Sequence, residues 1–422
     1  MHVVILAEFA GVSGGAEKVA LESARGLADL GLSVTYLQGI DGPVDPLLDH
    51  PRIRRLCLGL PDIWSRGALA GAASGIWHFT AAERVAAALA GLERIDALHL
   101  HQWTRSLSPS VFPVLAGAGA PVFVTLHDYF LACPNGVYYR FDRTEPCALK
   151  PMSAACIAAP CDSKSRAHKM VRVARSAALR QALAGRALHV IHVCDASQQR
   201  MGALLGGYRL RHHRVDNPVR TIPGPPAAPE RGDAIAYIGR LTREKGADLV
   251  AEAAAAAGLT ALFVGTGPLE AELAGRPGVE MLGWQAPEVA QDVLRRRARA
   301  LAAPSRWFET GPLTVYEALA AGIPVVASER AGASEKVRNG ETGFVVAPEV
   351  DALAGAFRAL RDDALAARLG RAAQARFEAA PMGLDTHART LSELYGRVLR
   401  EAACAAQHAQ PATPAAAESG NL

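Results

Sequence analysis

Residues 304–328 read PSRWFETGPLTVYEALAAGIPVVAS, and this pattern predicts a strand end, a loop, a helix, a turn and a second strand. Gly311-Pro312 interrupt the loop before a helix predicted from Leu313 to Ala321, which Gly322 ends. Pro324 to Ala327 then has the apolar composition of a buried strand. This order of elements is typical of a parallel sheet in an α/β protein.

Two carboxylates give this stretch its chemical interest. Glu309 lies in the loop, and Glu317 lies eight residues later, about one turn into the predicted helix. Open α/β sheets bind ligands beyond the carboxyl ends of their strands, where a helix N-terminus can hold a phosphate and carboxylates can accept bonds from hydroxyls. The alternative is structural, with Glu309 favoured by the helix dipole and Glu317 solvated.

Length and composition favour a two-domain protein. The chain has 422 residues, half of them hydrophobic. Its net charge of +4 is uneven: residues 1–222 hold 24 Lys and Arg against 17 Asp and Glu. This bias is compatible with an anionic membrane surface or an acidic substrate and is too weak to indicate nucleic acid. No signal peptide or spanning segment is visible, so we expect a soluble, cytoplasmic protein that could act at the inner membrane face.

The first half predicts a βαβ opening, with a strand at 2–7 and a helix from about 16 to 30. Gly14 and Gly15, in the turn between them, would let the backbone approach a phosphate or a sugar, or would simply form a tight turn. His127 directly follows a predicted strand at 121–126 and is either a site residue or a structural histidine.

The second half begins with a predicted strand at 234–239, followed by the loop RLTREKG. Arg240 and Lys245 stand at the two ends of that loop and suit a diphosphate, unless they are ordinary surface cations. Gly265 and Gly267 form the turn after the next strand. Neither half carries G-x-G-x-x-G, so a nicotinamide dehydrogenase is disfavoured.

These motifs together resemble the retaining glycosyltransferases of family 4, which have the GT-B fold. Glu309 and Glu317 match the family's E-x7-E, Arg240 and Lys245 its G-R-x4-K-G, Gly265 and Gly267 its G-x-G-P-L, and Gly14 and Gly15 its G-G-x-E. The resemblance extends over most of the chain.

The resemblance implies a role for each of these residues. Arg240 and Lys245 would bind the leaving diphosphate, Glu317 the ribose, and Glu309 and His127 the donor sugar. Gly265 and Gly267 would lie near the nucleotide, and Gly14 and Gly15 would face the diphosphate and the acceptor. Many relatives carry Phe-Gly where this chain has Gly311-Pro312; proline has no N–H, so Gly311 or Leu313 must supply the backbone donor there.

The implied activity is transfer of a hexose, with retained anomeric configuration, from a UDP- or GDP-sugar to a glycan or lipid-linked glycan of a cell-surface polysaccharide. No cofactor is expected, and because no D-x-D occurs in the chain, no metal site is expected at the donor. The alternatives are a sugar-nucleotide epimerase and a non-catalytic nucleotide-sugar-binding protein, the latter favoured only by Pro312.

The predicted fold is α/β, with two Rossmann-like domains facing a cleft. We assign 1–218 to an acceptor-side domain, 219–232 to a Pro-rich linker and 233–370 to a donor-binding domain. Residues 371–404 would form helices that cross back to the first domain, and 405–422 a disordered tail.

Two further features of the first half are open. Cys133, Cys147, Cys156 and Cys161 fall in one irregular stretch and could bind a structural zinc or pack as small apolar side chains. A predicted helix at 164–181 carries Arg or Lys at 166, 169, 172 and 175. A solvated face is favoured over a membrane-docking face for this basic stripe, because its charges drift around the helix.

Overall fold

The computed structural model describes residues 1–12, 14–222 and 224–408, with side chains described up to 405. Its strands are, in chain order, β1 (His2–Ala7), β2 (Ser33–Gln38), β3 (Ile53–Cys57), β4 (Ala97–Leu100), β5 (Val122–Leu126), β6 (Tyr139–Arg140), β7 (Glu145–Pro146), β8 (Ala187–His192), β9 (Arg209–Arg214), β10 (Ala234–Ile238), β11 (Thr260–Val264), β12 (Val279–Met281), β13 (Ala298–Ala303), β14 (Val325–Ser328) and β15 (Gly343–Val346).

The helices cover both sheets, and short 3₁₀ turns connect some of them. In chain order they are α1 (Gly15–Asp29), α2 (Ala68–Ile76), α3 (Phe79–Ala90), α4 (Val111–Gly117), α5 (Ala154–Ala158), α6 (Arg166–Leu183), α7 (Asp195–Leu204), α8 (Ala247–Ala257), α9 (Glu270–Ala274), α10 (Pro287–Arg297), α11 (Leu313–Ala320), α12 (Val350–Ala359), α13 (Asp363–Ala379) and α14 (Leu384–His408).

Two parallel sheets form the cores of the two halves. The first has the order β3-β2-β1-β4-β5-β8-β9 and the second the order β12-β11-β10-β13-β14-β15. Their strands are apolar on both faces because helices cover both sides; Val3 to Ala7 of β1, for example, is fully buried. The predicted α/β fold with two parallel-sheet domains is confirmed.

Each sheet reverses its strand order at one point, between β1 and β4 in the first and between β10 and β13 in the second. Ligands of open α/β sheets bind at such points, beyond the carboxyl ends of the strands. Strand order therefore selects the residues that follow β1, β4, β10 and β13 as the first place to look for a site.

Some elements differ from the prediction. Strand β9, with the sequence RLRHHR, was not predicted, because its sequence has almost none of the apolar residues that mark a strand. The helices predicted at 371–404 are α13 and α14, separated at 380–383, and α13 begins eight residues earlier than predicted, at Asp363. Helix α14 continues through 405–408, where the tail was predicted to begin, and the rest of that tail lies outside the described residues.

The two halves are joined at several places besides the connection at 219–232. Helix α14 lies against α1, and its Leu391 and Tyr395 pack into the core of the first sheet. On another side, the Arg214 guanidinium at the end of β9 bonds Glu335 at 2.6 Å, and Glu335 also accepts the backbone N–H of Asp195 at 2.8 Å. In this conformation, direct contacts between the two halves border the cleft between the sheets.

No helix among the described residues is both long enough and apolar enough to cross a bilayer.

Candidate active site

A cavity of about 340 Å³ lies where both sheets reverse their strand order. Its lining includes Glu8 after β1, His101 and Gln102 after β4, His127 and Asp128 after β5, and Arg240 after β10. Residues of both sheets therefore line one space, and two of the predicted site residues, His127 and Arg240, are among them.

Arg240 and Lys245 occupy the ends of the loop between β10 and α8. The Arg240 side chain is exposed and makes no hydrogen bond or ion pair within the described part of the chain, whereas its carbonyl accepts the Tyr237 hydroxyl at 2.8 Å. Lys245 bonds Glu309 at 2.7 Å. The structure thus brings together two predicted site residues that lie 64 positions apart and leaves one cation available for an anionic ligand.

Gly265 and Gly267 support this loop through the backbone. A Cβ on Gly265 would lie 2.1 Å from the carbonyl oxygen of Gly239, and one on Gly267 would lie 2.5 Å from that of Leu241. Glycine is required at both positions because the neighbouring backbone is too close to leave room for a Cβ atom. These glycines position the loop that carries Arg240.

The loop after β13 reaches into the first domain. Trp307 and Phe308 join the core built on the first sheet, and the Arg200 guanidinium lies over the Phe308 ring. Thr310 donates its hydroxyl hydrogen to the carbonyl of His127 at 2.7 Å. Glu309, whose second carboxylate oxygen accepts the Ser305 hydroxyl, is therefore held close to the end of β5.

The start of α11 has unpaired backbone donors. Pro312 occupies the N-cap, and the N–H groups of Gly311 and Leu313 make no hydrogen bond within the described residues. Helix N-termini attract anions through such free N–H groups and the helix dipole. Gly15, at the start of α1, faces this point, since a Cβ there would lie 3.6 Å from a methyl group of Leu313. Gly14 precedes it in extended conformation.

Glu317 is paired across the cleft. Lys18, on α1, bonds its carboxylate at 2.5 Å, and the two side chains are only 15% and 11% exposed. The sequence did not predict this partner, although Lys18 follows directly on the Gly14-Gly15-Ala16-Glu17 motif. An ion pair now occupies one oxygen of the carboxylate expected to bind ribose.

Glu22 is one turn further along α1 and is fully buried, and neither of its carboxylate oxygens has a hydrogen-bond partner in the described part of the chain. Burial raises the pKa of Glu22 to about 7 from its usual 4.5, with Lys18 lowering it and Glu317 raising it. The pKa of Lys18 is raised as well, since the pull of Glu317 and Glu22 exceeds the cost of burying the ammonium.

His127 and His101 form a stacked pair, with His127 Nε2 and His101 Nδ1 3.1 Å apart. Burial lowers the pKa of His127 to about 3 and that of His101 well below its usual range. Both rings are therefore neutral near pH 7, and one ring donates to the other. The Nε2 atom of His101 has no hydrogen-bond partner among the described residues.

Two carboxyls on the first-sheet side of the cavity have raised pKa values. Burial raises the pKa of Glu8 to about 7, against the opposing effect of backbone N–H groups at 105–107. Burial also raises the pKa of Asp128 to about 6, although it accepts the N–H of Phe130. Perturbed carboxyls lining a cavity indicate a functional site.

The interpretation of the basic stripe as a solvated face is wrong for Lys169 and Arg175, whereas Arg166 is exposed. On α6 the Lys169 side chain is 2% exposed and that of Arg175 is 6% exposed, so they face the protein rather than solvent or a membrane. Arg175 lies over the Phe130 ring, and Lys169 Nζ is 3.1 Å from Cys161 Sγ. A three-residue spacing does not by itself identify the side of the helix that is covered.

The four cysteines of the irregular stretch are buried and unbridged. Within the described residues they do not form a group of three or more side chains able to hold a metal ion. Buried packing, the other hypothesis for Cys133, Cys147, Cys156 and Cys161, agrees with their position in and around the core of the first sheet.

Sequence analysis missed Glu8, His101 and Gln102. Each follows directly on a strand, β1 or β4, which is the criterion that selected His127. Applied to every predicted strand of the first half, that criterion would have found them. Lys18 and Glu22 carried no such signal, because their importance depends on Glu317, far away in the chain.

Comparison with protein families gave two matches that together span residues 14–376. A family described as "Glycosyl transferase 4-like domain" matches residues 14–218, and one described as "Glycosyl transferases group 1" matches residues 219–376. The boundary between the two matches falls at the start of the predicted linker.

Curated relatives match parts of the chain. A D-inositol 3-phosphate glycosyltransferase of Mycobacterium avium is 33% identical over 186 residues, which are 40% of this chain and 43% of that protein. A glycogen synthase of Mycobacterium tuberculosis is 46% identical over 85 residues, 20% of each protein. The alignments thus span less than half the length of these relatives.

Solved structures match almost the whole chain. Anabaena Alr3699/HepE in complex with UDP and glucose aligns with a TM-score of 0.62 and 20% identity over 94% of this chain and 100% of that one. Sucrose-phosphate synthase from Thermosynechococcus elongatus aligns with a TM-score of 0.65 and 19% identity over 95% and 99%. At these identities the likeness establishes the fold, which is GT-B.

Proposed function

The chain belongs to the family 4 glycosyltransferases, and we propose that it moves a hexose from a nucleoside-diphosphate sugar to a glycan or lipid-linked glycan acceptor, with retention of configuration and without a metal ion. The observation that carries this proposal is the unpaired Arg240 guanidinium in a cavity lined by residues from both sheets. An exposed cation at a strand's carboxyl end suits the leaving diphosphate.

The chemical difficulty of the reaction is the charge that develops on the diphosphate as the anomeric bond breaks. Arg240, Lys245 and the free N–H groups of Gly311 and Leu313 are placed to stabilise it electrostatically. Glu309, bonded to Lys245, would hold hydroxyls of the donor sugar beside His127. A neutral His127 can hydrogen-bond a sugar hydroxyl without adding charge.

The donor is proposed to carry uracil or guanine. HepE, which shares the fold, is described in complexes with UDP, with glucose and with UDP-glucose, which favours UDP for this chain. Glu317 would bind the ribose, and its pairing with Lys18 means that the nucleotide must either share or displace that ammonium. A role in polysaccharide synthesis rests on the family alone.

A peripheral membrane contact is proposed from exposed apolar side chains near α2 and α6 rather than from the basic stripe. Leu69 is 88% exposed and Met170 51% exposed, and Lys164 lies over the exposed Trp64 ring at 3.4 Å. Apolar residues with neighbouring cations bind anionic bilayers. We expect flotation with phosphatidylglycerol vesicles that is lost in Leu69→Ser/Met170→Ser; equal flotation of both proteins would contradict this contact.

The donor proposal is tested by titrating UDP and GDP while following thermal unfolding, with and without Mg²⁺. A ligand of the native state raises stability by mass action. We expect one nucleotide to stabilise the protein equally in Mg²⁺ and in chelator. Arg240→Ala should weaken binding about 10- to 100-fold, the effect of losing a charge-assisted hydrogen bond.

Arg243→Ala is the matched control, because Arg243 lies in the same loop but is paired with Asp248 and Glu272. If neither nucleotide changes the unfolding temperature, or if Arg240→Ala binds as well as wild type, the donor site is not where we place it. Binding without sugar transfer would favour a non-catalytic protein.

A further inference from the structure

We propose that the cavity at the first sheet is the acceptor subsite and that it takes an uncharged polyhydroxy ring, held by Glu8 and His101, and excludes an acceptor whose bound end is phosphorylated. This inference rests on the proposed transferase function and adds the chemical class of the acceptor.

Glu8 is held as a fixed ligand group. One carboxylate oxygen, Oε1, accepts the backbone N–H groups of Arg105 at 2.5 Å, Ser106 at 2.6 Å and Leu107 at 3.4 Å. The other, Oε2, makes no hydrogen bond within the described residues, and the side chain lines the cavity. A carboxyl anchored on one oxygen and open on the other is pre-organised to bind a hydroxyl.

His101 points independently to a missing ligand. Its side chain is 4% exposed and lines the cavity, and its Nε2 atom has no partner within residues 1–12, 14–222 and 224–408, while Nδ1 is occupied by His127. Leaving a buried polar atom without a partner carries a desolvation cost. A hydroxyl recovers that cost with either tautomer of the ring, because it can both donate and accept.

The charges on the lining disfavour an anion. Glu8, Glu17 and Asp128 are carboxyls. Of the lining cations, Arg105 is bonded to Asp62 through two guanidinium nitrogens, and Arg240 is assigned to the diphosphate. No other Lys or Arg lines this cavity in the described structure. Once the diphosphate occupies Arg240, a phosphate placed beside Glu8 would face carboxylates without a further free cation, so like charges would repel it.

The pKa of Glu8, raised by burial to about 7, fits the same conclusion, since a partly protonated carboxyl can donate to a hydroxyl as well as accept from one. The volume fits as well. About 340 Å³ is at the lower end of the range of ligand pockets, roughly 300–1,000 Å³, and the donor shares this space at Arg240 and His127, so the part beside Glu8 and His101 suits a terminal ring rather than a chain.

The test uses the full-length protein with the nucleotide sugar whose base binds, and a panel of paired acceptors. Methyl glucoside, methyl mannoside, methyl galactoside and myo-inositol form the neutral set, and glucose 6-phosphate, mannose 6-phosphate, galactose 6-phosphate and inositol 3-phosphate form the charged set. Product formation is measured with each acceptor, and the UDP or GDP dissociation constant is measured in parallel as the readout of the donor site.

We expect transfer to at least one neutral member and at least tenfold lower kcat/KM for its phosphorylated partner. Glu8→Gln should raise the acceptor KM about tenfold, the effect of one charge-assisted hydrogen bond, and leave the nucleotide dissociation constant unchanged. Glu93→Gln, an exposed glutamate before β4, is the matched control. Gln102→Lys adds a cation to the lining and should bring the charged set into use.

Three results would overturn the inference: use of a phosphorylated acceptor as well as its neutral partner, an unchanged acceptor KM in Glu8→Gln, or no transfer to any neutral member while the nucleotide still binds. In each of these the donor site stands. Loss of nucleotide binding in the wild type would instead refute the proposed function itself, and the acceptor subsite with it.

Discussion

Replacing Glu22 by Gln should change how the stability of this protein depends on pH. Glu22 is fully buried, and both carboxylate oxygens lack partners. The charged groups that act on it are Lys18 on its own helix, Glu317 on α11, and Arg220 and Asp45 beyond them. Burial outweighs Lys18, so the folded-state pKa is about 7 against 4.5 for a free side chain.

The sign follows from proton binding. Between pH 4.5 and about 7 the folded protein keeps the Glu22 proton that the unfolded chain has released, so the free energy of unfolding falls as pH rises through this window and levels off above it. The difference between the two pKa values corresponds to about 3 kcal/mol, at about 1.4 kcal/mol for each pH unit. Gln does not titrate, so the free energy of unfolding of the variant does not fall by this amount.

The assay is urea unfolding, followed by tryptophan fluorescence at pH values from about 5 to about 8. We expect wild type to lose about 2–3 kcal/mol more than Glu22→Gln over that range. Glu83→Gln, an exposed glutamate on α3, controls for the charge change and should track wild type. Glu8 also has a raised pKa, but it is present in every protein compared, so its contribution to the pH dependence of stability cancels. Parallel profiles for wild type and Glu22→Gln would refute the reasoning.

Two further predictions concern the same cleft. Breaking the Lys18–Glu317 pair with Lys18→Met should cost about 3–5 kcal/mol, because the carboxylate is left largely buried and unpaired; in a double-mutant cycle with Glu317→Gln, additive effects on the free energy of unfolding would contradict the pairing. Gly246→Ala should lose at least about 1–2 kcal/mol from its left-handed backbone, φ +76°, and more because its Cβ would lie 2.4 Å from the Pro304 carbonyl oxygen. Unchanged thermal stability of that variant would show that the loop before α8 relaxes freely.

The local elements could largely be predicted from sequence. Strand β1 lies where its apolar run placed it, and helix α11 begins at the predicted Leu313 and ends one residue before the predicted Ala321. Periodicity and glycine or proline stops act over a few residues, so these elements carry their own signal. Strand β9 was missed because its histidines pair with those of β8, as His189 does with His213 at 2.9 Å, instead of presenting an apolar face.

The candidate site was predictable only in part. His127 and Arg240 line the cavity and Glu309 lies beside Lys245, because each follows a strand and parallel strands bring such positions to one edge. The pairing of Glu317 with Lys18 was not predictable, because it depends on how the two halves are oriented. The inward face of α6 depends equally on what covers that helix.

The packing of the loop after β13 affects how chimeras of related enzymes can be made. It belongs to the second half in sequence, yet Trp307 and Phe308 are packed in the core of the first half, and Thr310 bonds the carbonyl of His127. A chimera cut at the linker would bring a foreign loop into that core, and mismatched side chains there would leave voids or clashes. Recombination of donor and acceptor halves is therefore expected to succeed when residues 305–312 are inherited together with the acceptor half.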